Sequence, residues 1–250
     1  MKWQGFTNLI VAFVLLFSTF ACKVKVSSVQ VTHAVVQSER TVSDSTLTHF
    51  LSPYKGKIDS LMDVELVYNP QILLKEIPES NLGNMMADII FDIAQKNGLQ
   101  PDFAVTNIGG IRVPMLDSGM LTTRDAFQLM PFDNTIVVQE ISGATANKLF
   151  QHLAQWGGWP ISHAKAKISS AKEILVPIYI GGEILDTTKT YRLATTDYLA
   201  LGGDKCFFLQ DYSIEKTNIL LRDGIISHWK TVAAKGDSLY IQKEGRIVYE

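Results

Sequence analysis

The sequence predicts an α+β fold, a single mixed α/β domain from about residue 46 to residue 250. Helical and strand-like periodicities alternate irregularly, and short links such as Gly181-Gly182 join neighbouring segments. Hydrophobic residues make up 46% of the chain, a fraction typical of a folded protein with a core. Irregular alternation favours a mixed sheet over the regular βαβ order of a doubly wound fold.

The first helical segment covers residues 47–62, where apolar residues recur at i, i+3, i+4 and i+7. Pro53 interrupts this pattern, because proline lacks a backbone N–H and clashes with the preceding turn. Two alternatives follow: a kinked helix, or a helix that starts at Ser52 with Pro53 in its first turn.

Two further helices have clearer patterns. An apolar stripe over residues 82–93 has Ser80 or Asn81 available to cap its start and Gly98 to end it. The second covers residues 143–156. Both should pack an apolar face against the sheet.

Short apolar or alternating runs predict the strands. They lie at 64–68, 103–105, 135–141, 174–180, 191–195 and 238–241.

The charge of the chain argues against a nucleic-acid partner. The formal net charge is −2, and no block of Lys and Arg forms a stripe. Because basic side chains that neutralise phosphates supply most nucleic-acid affinity, we expect no nucleic-acid binding.

The N-terminus has the features of a bacterial lipoprotein signal. A positive start precedes an apolar run at residues 9–17, shorter than the ~20 residues that span a membrane, and Ala21 stands before Cys22. We expect residues 1–21 to be removed, Cys22 to carry lipid and residues 22–45 to form a tether. The protein would then be exported and anchored to a bacterial membrane, at the periplasm or the cell surface. Plain secretion is the alternative.

The chain has two cysteines, Cys22 and Cys206. A lipidated Cys22 leaves Cys206 without an internal disulfide partner. Cys206 lies in an apolar stretch, so we expect a small buried hydrophobe rather than a nucleophile.

Several polar residues offer chemistry suited to a nucleotide. Gly109 and Gly110 allow the backbone to approach a ligand closely. Arg112 carries a planar fork of donors that fits phosphate or carboxylate. Asp204 can accept hydrogen bonds from both hydroxyls of a ribose, as acidic residues do in dinucleotide sites.

Two aromatic residues complete this set. Phe132 and Tyr198 offer flat faces on which a base could stack, and Asn134 offers an amide to a base edge. Taken alone, a Phe after Pro131 is more often a core anchor than a ligand contact.

Five segments, in order, resemble the C-terminal domain of the 5′-nucleotidase family. The resemblance runs from about residue 47 to the end of the chain. The segments are Asn81-Leu82-Gly83-Asn84 with Ala87-Asp88, Asn107-Ile108-Gly109-Gly110-Ile111-Arg112, residues 119–134, residues 196–204 and Glu244-Gly245-Arg246-Ile247.

The resemblance implies a role for each candidate. Phe132 and Tyr198 would hold the base between their rings, and Asn134 would contact its edge. Asp204 would bind the ribose hydroxyls. The sugar and phosphate region would be contacted by Asn107 and Arg112, beside Gly109 and Gly110.

Two positions depart from the family pattern. An Arg often precedes the family's first helix, but residues 75–80 contain only Lys75 as a cation. Because Lys lacks the planar fork of Arg, weaker phosphate binding is one expectation and a less charged ligand is the other. Tyr198 stands where many members have Phe, which retains the ring and adds a hydroxyl.

Complete 5′-nucleotidases also have a metallophosphoesterase domain that holds two metal ions through His-containing motifs. The five histidines of this chain stand in no such motif. We therefore expect no catalytic residue, metal or cofactor in this chain, with divalent metals only in a separately encoded metallophosphatase partner. A stand-alone nucleoside-binding receptor and a degenerate scaffold without ligand are the alternatives.

Overall fold

The computed structural model describes residues 45–250 of the chain. By internal contacts the chain divides into two units, Met1–Phe50 and Leu51–Glu250. The second unit holds every strand described below. The predicted signal peptide, the Cys22 lipid site and the tether as far as residue 44 lie outside the described residues.

The first described helix, α1 (Ser45–Met62), continues through Pro53. The alternative start at Ser52 is therefore wrong. None of its residues is buried. At its C-terminal end Asp59 and Asp63 accept hydrogen bonds from Arg124, at 2.8 and 2.7 Å.

The central element is a five-stranded mixed sheet. Its strands, in spatial order, are β12 (Glu215–Leu220), β6 (Thr135–Ser142), β11 (Thr190–Thr196), β3 (Phe103–Val105) and β7 (Ile161–Ser162). β11 runs parallel to β3 and antiparallel to β6. This mixture of directions confirms the predicted fold class.

Within residues 45–250, five α-helices follow α1. They are α2 (Asn81–Lys96), α3 (Thr123–Leu129), α4 (Gly143–Gln155), the short α5 (Asp197–Ala200) and α6 (Leu221–Ala234). Of these, α2 and α6 pack on one side of the sheet and α4 on the other.

Alternate residues of a strand point to opposite faces, which divides the core in two. Ala104 of β3 and Ala194 of β11 pack in one cluster with the apolar sides of α2 and α6. Phe103 and Leu193, their immediate neighbours, pack in a second cluster with α4. The central strands are therefore buried on both sides, which explains their continuous apolar character.

Three smaller sheets complete the fold. The four-stranded one has the order β10 (Glu183–Ile184), β9 (Ile174–Ile180), β8 (Ala164–Ile168) and β13 (Ile247–Tyr249). The two-stranded ones pair β1 (Glu65–Asn69) with β5 (Gly119–Thr122), and β2 (Leu73–Leu74) with β4 (Met115–Leu116).

The helix boundaries follow local chemistry. The Ser80 side chain accepts a hydrogen bond from the Gly83 amide at 2.9 Å and caps α2, as predicted for one of two candidates. Thr122 and Asp125 form a reciprocal capping box at α3, a helix that the sequence patterns did not predict.

One predicted strand is wrong. Residues 238–241 form no strand, although Leu239 is buried and alternates with exposed neighbours. The Leu239 amide donates to the Tyr68 carbonyl at 2.9 Å, but no ladder continues from this bond. Residues 238–241 alternate between buried and exposed positions, but no neighbouring strand of the described region pairs with them.

Candidate functional site

The candidate site lies at one end of the five-stranded sheet. Because β3 and β11 are parallel, their C-terminal ends meet at the same edge. β6 is antiparallel to β11, with Ile136 opposite Thr196, so β6 begins where β11 ends. Three chain-distant loops therefore converge at this edge.

The converging loops carry the residues that the sequence singled out. A cavity of about 310 Å³ opens between them. It is lined by Asn107, Gly109, Gly110, Arg112, Phe132, Asn134, Tyr198 and Asp204. All eight candidates are thus brought together.

The two aromatic residues are exposed rather than packed inside. Phe132 is 40% and Tyr198 42% exposed, although both border the cavity. Phe132 is therefore not the core anchor that its sequence context allowed. The Arg112 guanidinium lies over the Phe132 ring, 5.5 Å from its centroid, within the range of a cation–π contact.

Hydrogen bonds hold the Phe132 loop against its neighbours. Asp197 at the start of α5 accepts a hydrogen bond from the Thr135 amide at 3.0 Å. Arg222 of α6 donates to the Asp133 carboxylate at 2.8 Å. These two contacts attach the loop to the helices α5 and α6.

The Asp204 carboxylate is anchored on both oxygens. Asn107 donates to Oδ2 at 2.6 Å, and the Tyr198 hydroxyl donates to Oδ1 at 2.8 Å. The backbone of Asp204 has φ +48°, in the left-handed region that Asp tolerates better than most residues. The sequence predicted a stacking role for the Tyr198 ring only, and the structure shows that its hydroxyl also has a hydrogen-bond partner. That hydrogen bond raises the pKa of the Tyr198 phenol.

The surroundings of Asp204 support the same arrangement. His152 Nε2 is 2.8 Å from the Asp204 carbonyl oxygen, which it binds from α4. A Cβ atom at Gly203 would lie 2.5 Å from Cε1 of Tyr198, so glycine permits the ring to cross the loop. His152 stands 52 residues from Asp204, a separation that no local sequence pattern reveals.

A second cation lies next to Arg112. Lys75 Nζ donates to the Ile111 carbonyl at 2.7 Å. Burial, followed by the charge of Arg112, lowers the pKa of Lys75. Lys75 and Arg112 both border a shallow cavity of about 420 Å³, and Arg112 also borders the candidate site. This edge of the site therefore carries two positive charges.

A larger cavity, of about 830 Å³, contains none of the predicted site residues. On its wall Arg246 donates to both oxygens of Asp88, at 2.7 and 2.8 Å, and Ser162 donates to the same carboxylate at 2.5 Å. Arg246 is buried and ties the segment before β13 to α2. We interpret this network as structural.

No histidine of residues 45–250 lines the candidate-site cavity, whereas His163 and His228 line the larger cavity. His163 stacks on Phe91, and burial lowers the pKa of His228. In residues 45–250, no group of three or more His, Cys, Asp or Glu side chains is placed to hold a metal ion. Over the same residues, no helix has the length and apolar character needed to cross a bilayer.

Cys206 should react slowly with thiol reagents. It is fully buried, and burial raises the pKa of its thiol from the ordinary 9.0 to about 12. At pH 8 this leaves roughly a thousandfold less thiolate, the reactive form. A Cys22→Ser variant has Cys206 as its one thiol, so iodoacetamide labelling should be slow until urea is added. Fast labelling of the folded protein would contradict the burial.

The raised pKa of Cys206 also makes the stability of the fold depend on pH. The folded state holds the Cys206 proton more tightly than the unfolded state does. Its contribution to stability is complete below about pH 9 and is lost as the pH rises towards about 12.

The structure is an α+β domain with a polar and aromatic cavity at the edge of its central sheet. Its cavity presents two exposed aromatic rings, an anchored carboxylate and a cationic edge. Such a combination of flat apolar faces with a few placed polar groups is typical of a small-molecule site.

Comparison with known families agrees with this class. Residues 66–211 match the family model described as 5′-nucleotidase, C-terminal domain. The match covers more than half of the chain, which therefore belongs to the 5′-nucleotidase C-terminal domain family.

Individual relatives are longer than this chain. A 5′-nucleotidase of Vibrio vulnificus is 27% identical over 176 residues, covering 64% of this chain and 30% of the relative. The silent protein UshA(0) of Salmonella typhimurium is 33% identical over 179 residues, covering 68% and 31%. A cell wall protein of Listeria monocytogenes, Lmo0130, is 30% identical over 201 residues, covering 73% and 25%. The chain thus spans about a third or less of these relatives.

Solved structures share the fold. A 5′-nucleotidase precursor from Thermus thermophilus has a TM-score of 0.71 at 23% identity, covering 84% of this chain and 44% of the other. A putative 5′-nucleotidase from Staphylococcus aureus has a TM-score of 0.68 at 14% identity, covering 86% and 46%.

Proposed function

We propose that this chain binds a nucleotide or nucleoside and serves as the recognition half of a 5′-nucleotidase-type phosphohydrolase in nucleotide catabolism. The observation that carries the proposal is the convergence of all eight candidate residues, from three distant loops, on one cavity. The family match supports the same ligand class.

In this proposal the base lies between Phe132 and Tyr198. Both rings border the cavity and keep a large exposed area, so a planar ligand could cover them. Stacking of a base on an aromatic side chain contributes about 1–3 kcal/mol. Asn134, which lines the same cavity, would contact the base edge.

The sugar and phosphate would extend towards the opposite polar groups. Asp204 would accept hydrogen bonds from the ribose hydroxyls, with Asn107 beside it. Gly109 and Gly110 leave space for the sugar, and Arg112 with Lys75 supplies two positive charges for a phosphate. Lys75 would thereby supply part of the positive charge that an arginine before the family's first helix supplies in many members.

We assign the hydrolytic step to a separately encoded metallophosphatase chain. Phosphate ester hydrolysis in this family depends on two metal ions that activate water and stabilise the leaving oxygen. We further propose that the chain is exported and held at the membrane by a lipid on Cys22. The apolar run before Ala21-Cys22 supports this anchor, and a cell wall protein is among the relatives.

Binding without turnover is the direct test. The purified chain should bind AMP, adenosine or uridine in calorimetry, because the base and ribose groups are assembled. It should release no phosphate from AMP in the presence of Mn²⁺, Zn²⁺ or Co²⁺. Metal-dependent release that scales with protein concentration and persists through purification would overturn the division of labour. Absence of binding to all three ligands would overturn the proposed function.

The anchor is tested separately. A Cys22→Ser variant should move from the membrane fraction to the soluble fraction, since the acyl chain would have no attachment point. Cys206→Ser is the matched control and should leave the distribution unchanged. If the Cys22→Ser protein stays in the membrane fraction, the lipid anchor is wrong.

A further inference from the structure

The hydroxyl of Tyr198 has a position that the base-stacking role does not explain. It donates a hydrogen bond to Asp204 Oδ1 at 2.8 Å. It also accepts a hydrogen bond from the Asp204 backbone amide at 3.3 Å. A phenylalanine would provide the same ring without either contact. Tyr198 therefore joins the aromatic wall of the cavity to its carboxylate.

The acceptor capacity of Asp204 shows what these bonds leave free. An ionised carboxylate has about four lone-pair positions, two on each oxygen. Tyr198 uses one position on Oδ1 and Asn107 uses one on Oδ2. One position on each oxygen remains for a ligand.

Two free acceptor positions on adjacent oxygens match a vicinal diol. Each hydroxyl of a ribose could donate to its own oxygen without displacing Tyr198 or Asn107. A 2′- or 3′-deoxyribose would leave one of the two positions without a donor. Loss of one hydrogen bond to a charged group at a site built to receive it is a strong basis for discrimination.

The bonds also fix the carboxylate before a ligand arrives. Asp204 lies in a loop with left-handed φ at both Asp204 and Lys205, +48° and +67°. Its side chain is held by Tyr198 on the short helix α5 and by Asn107 in the segment after β3. A carboxylate already oriented avoids part of the entropy cost of ordering on binding.

We propose that the Tyr198 hydroxyl is a specificity-determining group that positions Asp204 to read a vicinal diol, so that the site selects ribose over deoxyribose. The inference rests on the proposed function and names the ligand class of that same cavity. Tyr198 acts on the sugar through Asp204, while its ring acts on the base.

Calorimetric titration of the full chain provides the test. The probes are adenosine, 2′-deoxyadenosine, 3′-deoxyadenosine and free adenine, with uridine and its deoxy forms and free uracil used if adenosine does not bind. The wild-type chain should prefer the ribonucleoside over each deoxynucleoside by roughly tenfold, the equivalent of one such hydrogen bond. Tyr198→Phe should reduce this preference to about threefold or less and leave the affinity for the free base within about twofold.

Two controls separate positioning from general damage. Tyr212→Phe removes a hydroxyl that bonds Ser142 and Thr145, outside the cavity lining, and should leave the preference unchanged. The ¹³C resonance of Tyr198 Cζ, followed through a pH titration without ligand, should shift to a lower titration midpoint in Asp204→Asn. The midpoint should fall because the hydrogen bond to the carboxylate raises the phenol pKa.

The outcomes are distinct. A wild-type chain that binds no nucleoside refutes the proposed function and this inference with it. Nucleoside binding with no preference for the ribose form refutes the inference alone. A preference that survives unchanged in Tyr198→Phe, or a Tyr198 midpoint that does not respond to Asp204→Asn, also refutes the inference alone.

Discussion

Replacement of Arg246 by alanine should lower the free energy of unfolding by about 1.5–3 kcal/mol, the range for hydrogen bonds to a charged group, because the remaining partner Asp88 is 33% exposed. Arg246 forms a two-point pair with Asp88, and its side chain is 10% exposed. The variant would leave Asp88, with Ser162 beside it, without its counter-charge. Urea denaturation followed by circular dichroism measures the change.

A matched surface pair provides the control. Lys167 contacts Glu250 at 3.3 Å, with side chains 54% and 59% exposed. Lys167→Ala should cost about 0–1 kcal/mol, as exposed pairs do. The double variant Asp88→Ala/Arg246→Ala should lose less than the sum of its single variants, because the two residues share one interaction. An unchanged urea midpoint for Arg246→Ala would refute the structural role of this network.

Phe132→Ala and Tyr198→Ala should each weaken nucleoside binding by about 1–3 kcal/mol, the range for base–aromatic stacking. Each 1.4 kcal/mol of this loss corresponds to a tenfold increase in the dissociation constant. The double variant should lose less than the sum, because both rings share one ligand. Calorimetry with adenosine or uridine measures the effect.

Because the two rings are exposed, a loss of binding in these variants can be told apart from a loss of folding. Both side chains are about 40% exposed, so their removal should leave the thermal melting curve nearly unchanged. Tyr240→Ala removes an exposed ring that does not border the cavity and serves as the control. If both cavity variants melt as the wild type does and retain full affinity, the two rings do not hold the base.

Of the elements in residues 45–250, local patterns predicted three of the six α-helices and five of the thirteen strands. The stripe of α2, its Ser80 cap and the apolar runs of β3, β6, β9 and β11 all follow from periodicity that is visible within a short window. The strand predicted at residues 238–241 failed for a physical reason. Residues 238–241 alternate as a strand does, but a strand also needs a neighbouring chain with which to pair, and periodicity does not show one.

The candidate residues were found by type and by family resemblance, and their arrangement was not. The contacts that orient the site join distant positions: Asn107 to Asp204 across 97 residues, and His152 to Asp204 across 52. The pairing of the Tyr198 hydroxyl spans six residues, but it depends on the left-handed conformation of Asp204. Asp adopts that conformation without requiring it, so the residue type alone does not predict it.

The position of β11 links the cavity to the assembly of the fold itself. β11 lies between β6 and β3, and its junction with β3 joins residues 90 apart in the chain. Pairings of such long sequence separation form slowly, because a large loop must close before any contact compensates for it. Tyr198 lies on the helix that follows this strand and Asp204 just beyond that helix, so we expect the cavity to form only after β11 has entered the sheet. Under the proposed function, a nucleoside would bind the completed sheet and not its precursors, and its presence would shift the folding equilibrium towards the native state.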